Sequence, residues 1–132
     1  MFGVAEYQPL PPSLKSMIRL LESGGFTPVA EDVPKNRPNL FYRVELVGGT
    51  EHRMGAMSFP VFAYQVYAMD TGMAETQSGY LLAFLKSRQF TALGNVQYRG
   101  WSTVALPAPF PDPRVSDRRR WQLSGEFSLS GR

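Results

Sequence analysis

The chain has 132 residues, no cysteine, and 14 Lys and Arg against 11 Asp and Glu, for a net charge of +3. One domain of this length buries about two-thirds of its unfolded surface without a disulfide or metal, and the missing cysteines exclude disulfides, thiolate zinc sites and a cysteine nucleophile. The apolar and charged fractions, 43% and 19%, argue against disorder; no apolar run approaches the ~20 residues of a bilayer span, and no signal-peptide pattern opens the chain, so a soluble, non-exported protein is expected.

Residues 1–12, ending in QPLPP, read as an extended arm, because proline fixes φ and cannot join a ladder. Residues 13–132 read as a single α+β domain. SLKSMIRLLESGG predicts a helix with Leu14, Met17, Ile18 and Leu21 on one apolar stripe, Ser13 as N-cap and Gly24 and Gly25 as its stop. The proline-punctuated FTPVAEDVPKNRPN has room for one short edge strand. LFYRVELVGG predicts a strand with Leu40, Tyr42, Val44 and Leu46 on one face, and Gly48 and Gly49 in the turn that ends it. SFPVFAYQVYAM is apolar on both faces, hence central or covered twice.

A long helix is expected within 70–88, capped by Asp70 or Thr71, with Glu75 in its first turn and Lys86 and Arg88 in its last. Its middle, YLLAFL, is apolar nearly all round, so it either lies between two layers or offers one face to another subunit. NVQYRGWSTVAL predicts a third strand, PAPFPDP a loop, and RRRWQLSGEFSLS a last strand. In that last strand Trp121, Leu123, Phe127 and Leu129 point one way, and Arg120, Gln122, Ser124, Glu126, Ser128 and Ser130 the other. The sum is a mixed, mostly antiparallel sheet of four to five strands flanked by two helices.

Catalytic signatures are missing. His52, the one histidine, sits in a glycine-bounded loop beside Glu51 and is expected to be a surface residue. No G-x-S-x-G elbow, phosphate loop or G-x-G-x-x-G occurs, and the carboxylates are scattered singly, so no cofactor, metal or catalytic residue is assigned and a non-enzyme is expected. Aromatics beside arginines in FYR, QYRGW and RRRW suggest a stacking platform for single-stranded nucleic acid. Strand parity opposes it, since Tyr42, Tyr98 and Trp121 point away from Arg43, Arg99 and Arg120.

Several of these stretches occur in the same order in a known family. An N-terminal helix, FYRVELVGG, SFPVFAYQVYAM, a helix opening with Ala74 and containing YLLAFL, and a closing PDPRVSDRRRWQLSGEFSLSG span residues 13–131. In this the chain resembles the tail terminator proteins of long-tailed, siphovirus-type bacteriophages, as found in phages of actinobacteria. It departs from them where the family often carries an arginine before the double glycine, so no role is assigned there. The resemblance implies a structural virion protein, assembled in the host cytoplasm and sited at the head–tail junction. Such proteins form a homo-oligomeric ring, usually a hexamer, on the tail-tube protein, stop tube polymerisation and present a surface to the head–tail connector. DNA passes through the lumen without sequence recognition.

On that basis the apolar helix 74–88, with Tyr80, Leu82 and Phe84, is a candidate subunit interface. The arm 1–12 and loop 106–117 are candidate reaches to a neighbour, and Arg114, Arg118 and Arg120 candidate partners for its acidic groups. An arginine run can equally guard the start of an edge strand. Gln122, Ser124, Glu126 and Ser128 are candidate channel-lining residues, since a conducting lumen should not grip phosphates. The alternatives are a head-completion or connector protein of the phage neck, a small nucleic-acid-binding module using Arg114 and Arg118–Arg120, and a small enzyme with a carboxylate pair.

Overall fold

A computed structural model of the chain describes residues 9–52 and 55–131; most of the expected arm, residues 1–8, lies outside them. Helix α1 (Ser13–Ser23) follows the proline stretch, and Pro12, not Ser13, stands at its N-cap. Ser13 is instead the first helical residue and supplies no capping bond. The buried stripe is Ser16, Met17, Leu20 and Leu21, so the helix is turned toward Leu20, and Leu14 and Ile18 sit at its margin. Strand β1 (Val29–Ala30) is the short edge strand and runs parallel to β2 (Phe41–Glu51).

β2 keeps its alternation only as far as Val44. Tyr42 and Val44 are buried, but Leu46 and Val47 face solvent, and the ladder with β3 (Ser58–Ala68) slips between Leu46 and Gly48. That bulge lets the strand run on to Glu51, so Gly48 and Gly49 lie within the ladder and not in a turn. Gly49 has φ +140°, and a Cβ there would stand 2.6 Å from the Phe59 carbonyl oxygen, so only glycine fits.

Helix α2 (Thr71–Ser87) starts at Asp70, whose carboxylate accepts the Met73 N–H at 2.8 Å. It begins three residues before Ala74, so Glu75 falls beyond the first turn, and Arg88 is its C-cap. β4 (Thr91–Leu93), β5 (Val96–Pro109) and β6 (Arg119–Gly131) complete one six-stranded sheet in the order β1-β2-β3-β6-β5-β4. Apart from β1 every pairing is antiparallel. The sheet therefore has two short strands more than a four-strand reading, and β5 continues through residues expected to be loop.

Both helices cover the same face. Tyr42, Val44, Phe62, Tyr64, Val66, Tyr98, Leu123, Phe127 and Leu129 of the sheet pack under Met17, Leu20 and Leu21 of α1 and Leu81 and Leu85 of α2. Each large side chain taken fully out of water contributes roughly 1.5–3 kcal/mol, and the aromatic ones meet in tilted or edge-on pairs such as Tyr98–Phe127 at 5.8 Å. Trp101 lies over β6 at Gly125, where an added Cβ would stand 2.1 Å from the indole. Tyr98 donates from its hydroxyl to the Ser16 carbonyl at 2.7 Å, and burial pushes its pKa up to about 12. The Tyr64 hydroxyl is buried without a hydrogen-bond partner, and burial raises its pKa far above the usual tyrosine value.

Two substitutions test this packing by urea denaturation. Gly125→Ala should lower stability by ~1–3 kcal/mol, because the indole must leave its seat. Tyr64→Phe should hold or raise stability, since it removes an unpaired buried hydroxyl that costs about 1–3 kcal/mol; a loss there would mean the hydroxyl is satisfied.

Candidate assembly surfaces

One end of the helix-free face carries a buried aromatic cluster. There Phe41 and Tyr67 stack at 4.5 Å between ring centroids and are covered by Val115, with Val33 at the margin. The cover comes from loop 110–118, which is tied down by the arginine run. Arg120 reaches the Asp112 carboxylate at 3.5 Å, donates to the Phe110 and Pro111 carbonyls and to the Tyr67 hydroxyl, and lies over the Phe110 ring at 4.4 Å. Arg118 donates to the Pro38 and Arg37 carbonyls at 3.0 and 2.8 Å and pairs with Asp117 at 3.2 Å. Their side chains are only 10% and 9% exposed, so both arginines are occupied within their own chain. The strand they open, β6, is interior to the sheet and not an edge. Of this set Arg114, 84% exposed, and the exposed Arg119 still face outward.

Asp112 is the anion at the centre. Its carboxylate accepts from the Tyr67 hydroxyl and the Arg114 N–H, both at 3.0 Å. Burial alone would raise its pKa, but these two bonds and the charges of Arg120 and Arg114 outweigh that and hold it below the ordinary aspartate value.

The remaining helix-free face mixes polar and apolar side chains, because the β6 residues Gln122, Ser124 and Glu126 lie opposite Gln65, Ala63 and Val61 of β3. Gln65, almost wholly buried, donates to Glu45 at 2.7 Å and to Gln122 at 2.9 Å, while Arg43 bridges Glu45 and Gln65 at 2.6 and 3.0 Å. The network crosses β2, β3 and β6. Gln122, Ser124, Glu126 and Ser128 continue it as one half-exposed row on β6. A cleft of about 260 Å³ near its end is lined by Asp32, Val33, Arg37, Arg43, Arg114 and Val115. Each arginine there already has a carboxylate beside it: Asp117, Glu45 and Asp112 respectively. Among the described residues no His, Asp and Glu group suited to a metal occurs, and no helix is long and apolar enough to cross a membrane.

Of the helix residues expected at an interface, Tyr80 is 62% exposed. Leu82 belongs to the core, because α2 turns Ser78, Leu81, Leu82 and Leu85 inward. Phe84 is half-buried against Phe26 and carries Arg88 over its ring. The loop 106–117 begins inside β5, and its Phe110 is 48% exposed.

Sequence reading missed the barest apolar surface. Phe90 (84% exposed), Leu106 (69%) and Val104 (63%) are the most exposed large apolar side chains described, and all lie along the β4–β5 side of the sheet. Phe90 also holds a left-handed φ of 61°, unusual for a bulky residue. β4 covers β5 only over Val96–Tyr98, the Phe90 N–H meets the Arg99 carbonyl, and the Gln89 side chain accepts the Trp101 N–H. Beyond that, residues 102–109 pair with β6 on one side and have no strand on their outer side among the described residues. Across the sheet β1 covers β2 only at Tyr42 and Arg43, leaving 44–51 equally bare. The available signal was two strands ending in unpatterned apolar residues, LV before the glycines and VAL before the prolines.

Comparison with models of known protein families gave no match, and comparison with curated protein sequences gave none.

The clamp carries a pH prediction. A depressed carboxyl pKa in the folded state contributes stability that is present above the unfolded value near 4 and lost as pH falls through the folded value. Asp112→Asn should flatten this acid limb of the stability curve and, by leaving Arg120 without its buried partner, cost on the order of 3 kcal/mol at neutral pH.

Proposed function

We propose that this chain is a structural subunit of a phage tail that forms a ring on the tail tube, ends tube polymerisation and offers the surface to which the head joins. The observation that carries it is the bare apolar side chains Phe90, Val104 and Leu106 gathered along one side of an open sheet. A lone subunit with such an edge is prone to pair with other chains, and proteins that keep one exposed use it for association. The resemblance to tail terminators supplies the assembly in which a self-associating chain of this design has a task. The row Gln122, Ser124, Glu126 and Ser128 supports a lumen role, because it lies on the face away from the helices and carries no cation to hold DNA phosphates.

A second reading, a connector protein of the neck, shares the ring and the lumen but places the subunit on the head side. Electron microscopy of a lysate from a phage with a stop codon in this gene separates the two. Overlong, headless tails are the expected outcome. Tails of normal length beside empty or leaking heads would transfer the protein to the neck.

A further inference from the structure

Resting on the ring reading, we infer that the interface joins unlike edges: residues 102–106 of β5 in one copy pair antiparallel with residues 44–48 of β2 in the next, with Glu51 brought alongside the β4-covered stretch that carries Arg99. Each stretch has a strand on its inner side and none on its outer side, so each presents an outward row of backbone N–H and C=O groups whose natural complement is another strand. Direction fits. β2 runs against β3, β3 against β6 and β6 against β5, so β2 and β5 point in opposite directions. A copy added with the same orientation therefore continues the antiparallel alternation, and joining two different patches in this way is what lets a ring close.

Charge selects the pairing of unlike edges over like ones. Residues 88–109 contain Arg88 and Arg99 and no acid, whereas the open part of β2 contributes Glu51, its other acid, Glu45, being paired with Arg43. The cross-strand rows place these groups at matching heights. Glu51 shares a row with Ser58, Leu129 and Tyr98, next to Arg99, and Leu46 shares one with Phe62, Gly125 and Thr103, next to Val104. Pairing β5 with a second β5, or β2 with a second β2, would set like charges together, which disfavours both. The exposed Leu46 and Val47 of one copy and Val104 and Leu106 of the next then cover one another. Pro107 and Pro109, which have no N–H, stop the pairing from spreading.

A chain without cysteine makes the test clean. Leu46→Cys and Val104→Cys are prepared separately, one with a mass tag, and treated with a short bis-maleimide. The expected product is a dimer of tagged and untagged chains in the mixture and none in either variant alone. Product from a single variant, or no mixed product, overturns the pairing. In the cysteine-free background Arg99→Glu should weaken self-association by about tenfold or more, and Glu51→Arg added to it should restore association; failure of the rescue also counts against the pairing. Overgrown tails in the stop-codon phage without mixed cross-links would leave termination standing and remove this interface. Cross-links with tails of normal length would do the reverse.

Discussion

Strand β3 is apolar on both faces, and a sheet that carries such a strand has to be covered twice. Two helices supply the first cover across its whole width. The second is supplied where Phe41 and Tyr67 emerge on the far side, and there a loop of prolines and charged residues does the work of a helix. Such a loop has no ladder of its own to hold it, so its position depends on side chains. Asp112 and Arg120 are the pair that fixes it, with Tyr67 serving as both the surface to be covered and a ligand of the clamp. Arg118 extends the same device to the preceding connection, joining residues 37–38 to 117–118.

A design that spends its arginines internally has to find its outward contacts elsewhere. On the sheet, β2 and β5 are each shielded on the outer side over only a short stretch, and the open parts carry aliphatic side chains where a solvated edge would carry lysine. The helix-free face differs in kind. Its Gln65, Gln122, Arg43 and Glu45 satisfy one another across three strands. The bare apolar side chains thus lie along the sheet's two sides and the hydrogen-bonded network on its open face.

The α+β class, the parity of β2 as far as Val44 and of β6, and the two helices were legible because alternation and helical spacing are local properties. Tyr42 and Arg43 fall on opposite faces as their neighbours in sequence require. What was illegible depended on groups far apart in the chain. The arginine triplet looks like a surface feature until Pro38, Phe110 and Asp112 are seen around it, since those partners come from loops without pattern. Leu82 looks available in an apolar helix until the rotation of that helix is known. The bulge at Val47 and those in β5 break period two, so the bare ends of both strands resemble loop in sequence. Ser13 failed as a cap because the helix starts one residue earlier than the polar side chain suggests, at a proline already set in extended geometry.

The clamp has one more consequence, which concerns polarity. Every long strand has one end at loops 31–40, 69–70 and 110–118 and the other at the turns 52–57 and 94–95. Copies arranged around an axis along the strands would gather all the clamped, arginine-bearing ends on one rim and all the short turns on the other. A collar with two unlike rims can be seated in only one sense. Growth arriving at one side would then meet a surface different from the one shown to whatever docks next, so that a joint between two dissimilar machines needs no second protein to tell its top from its bottom.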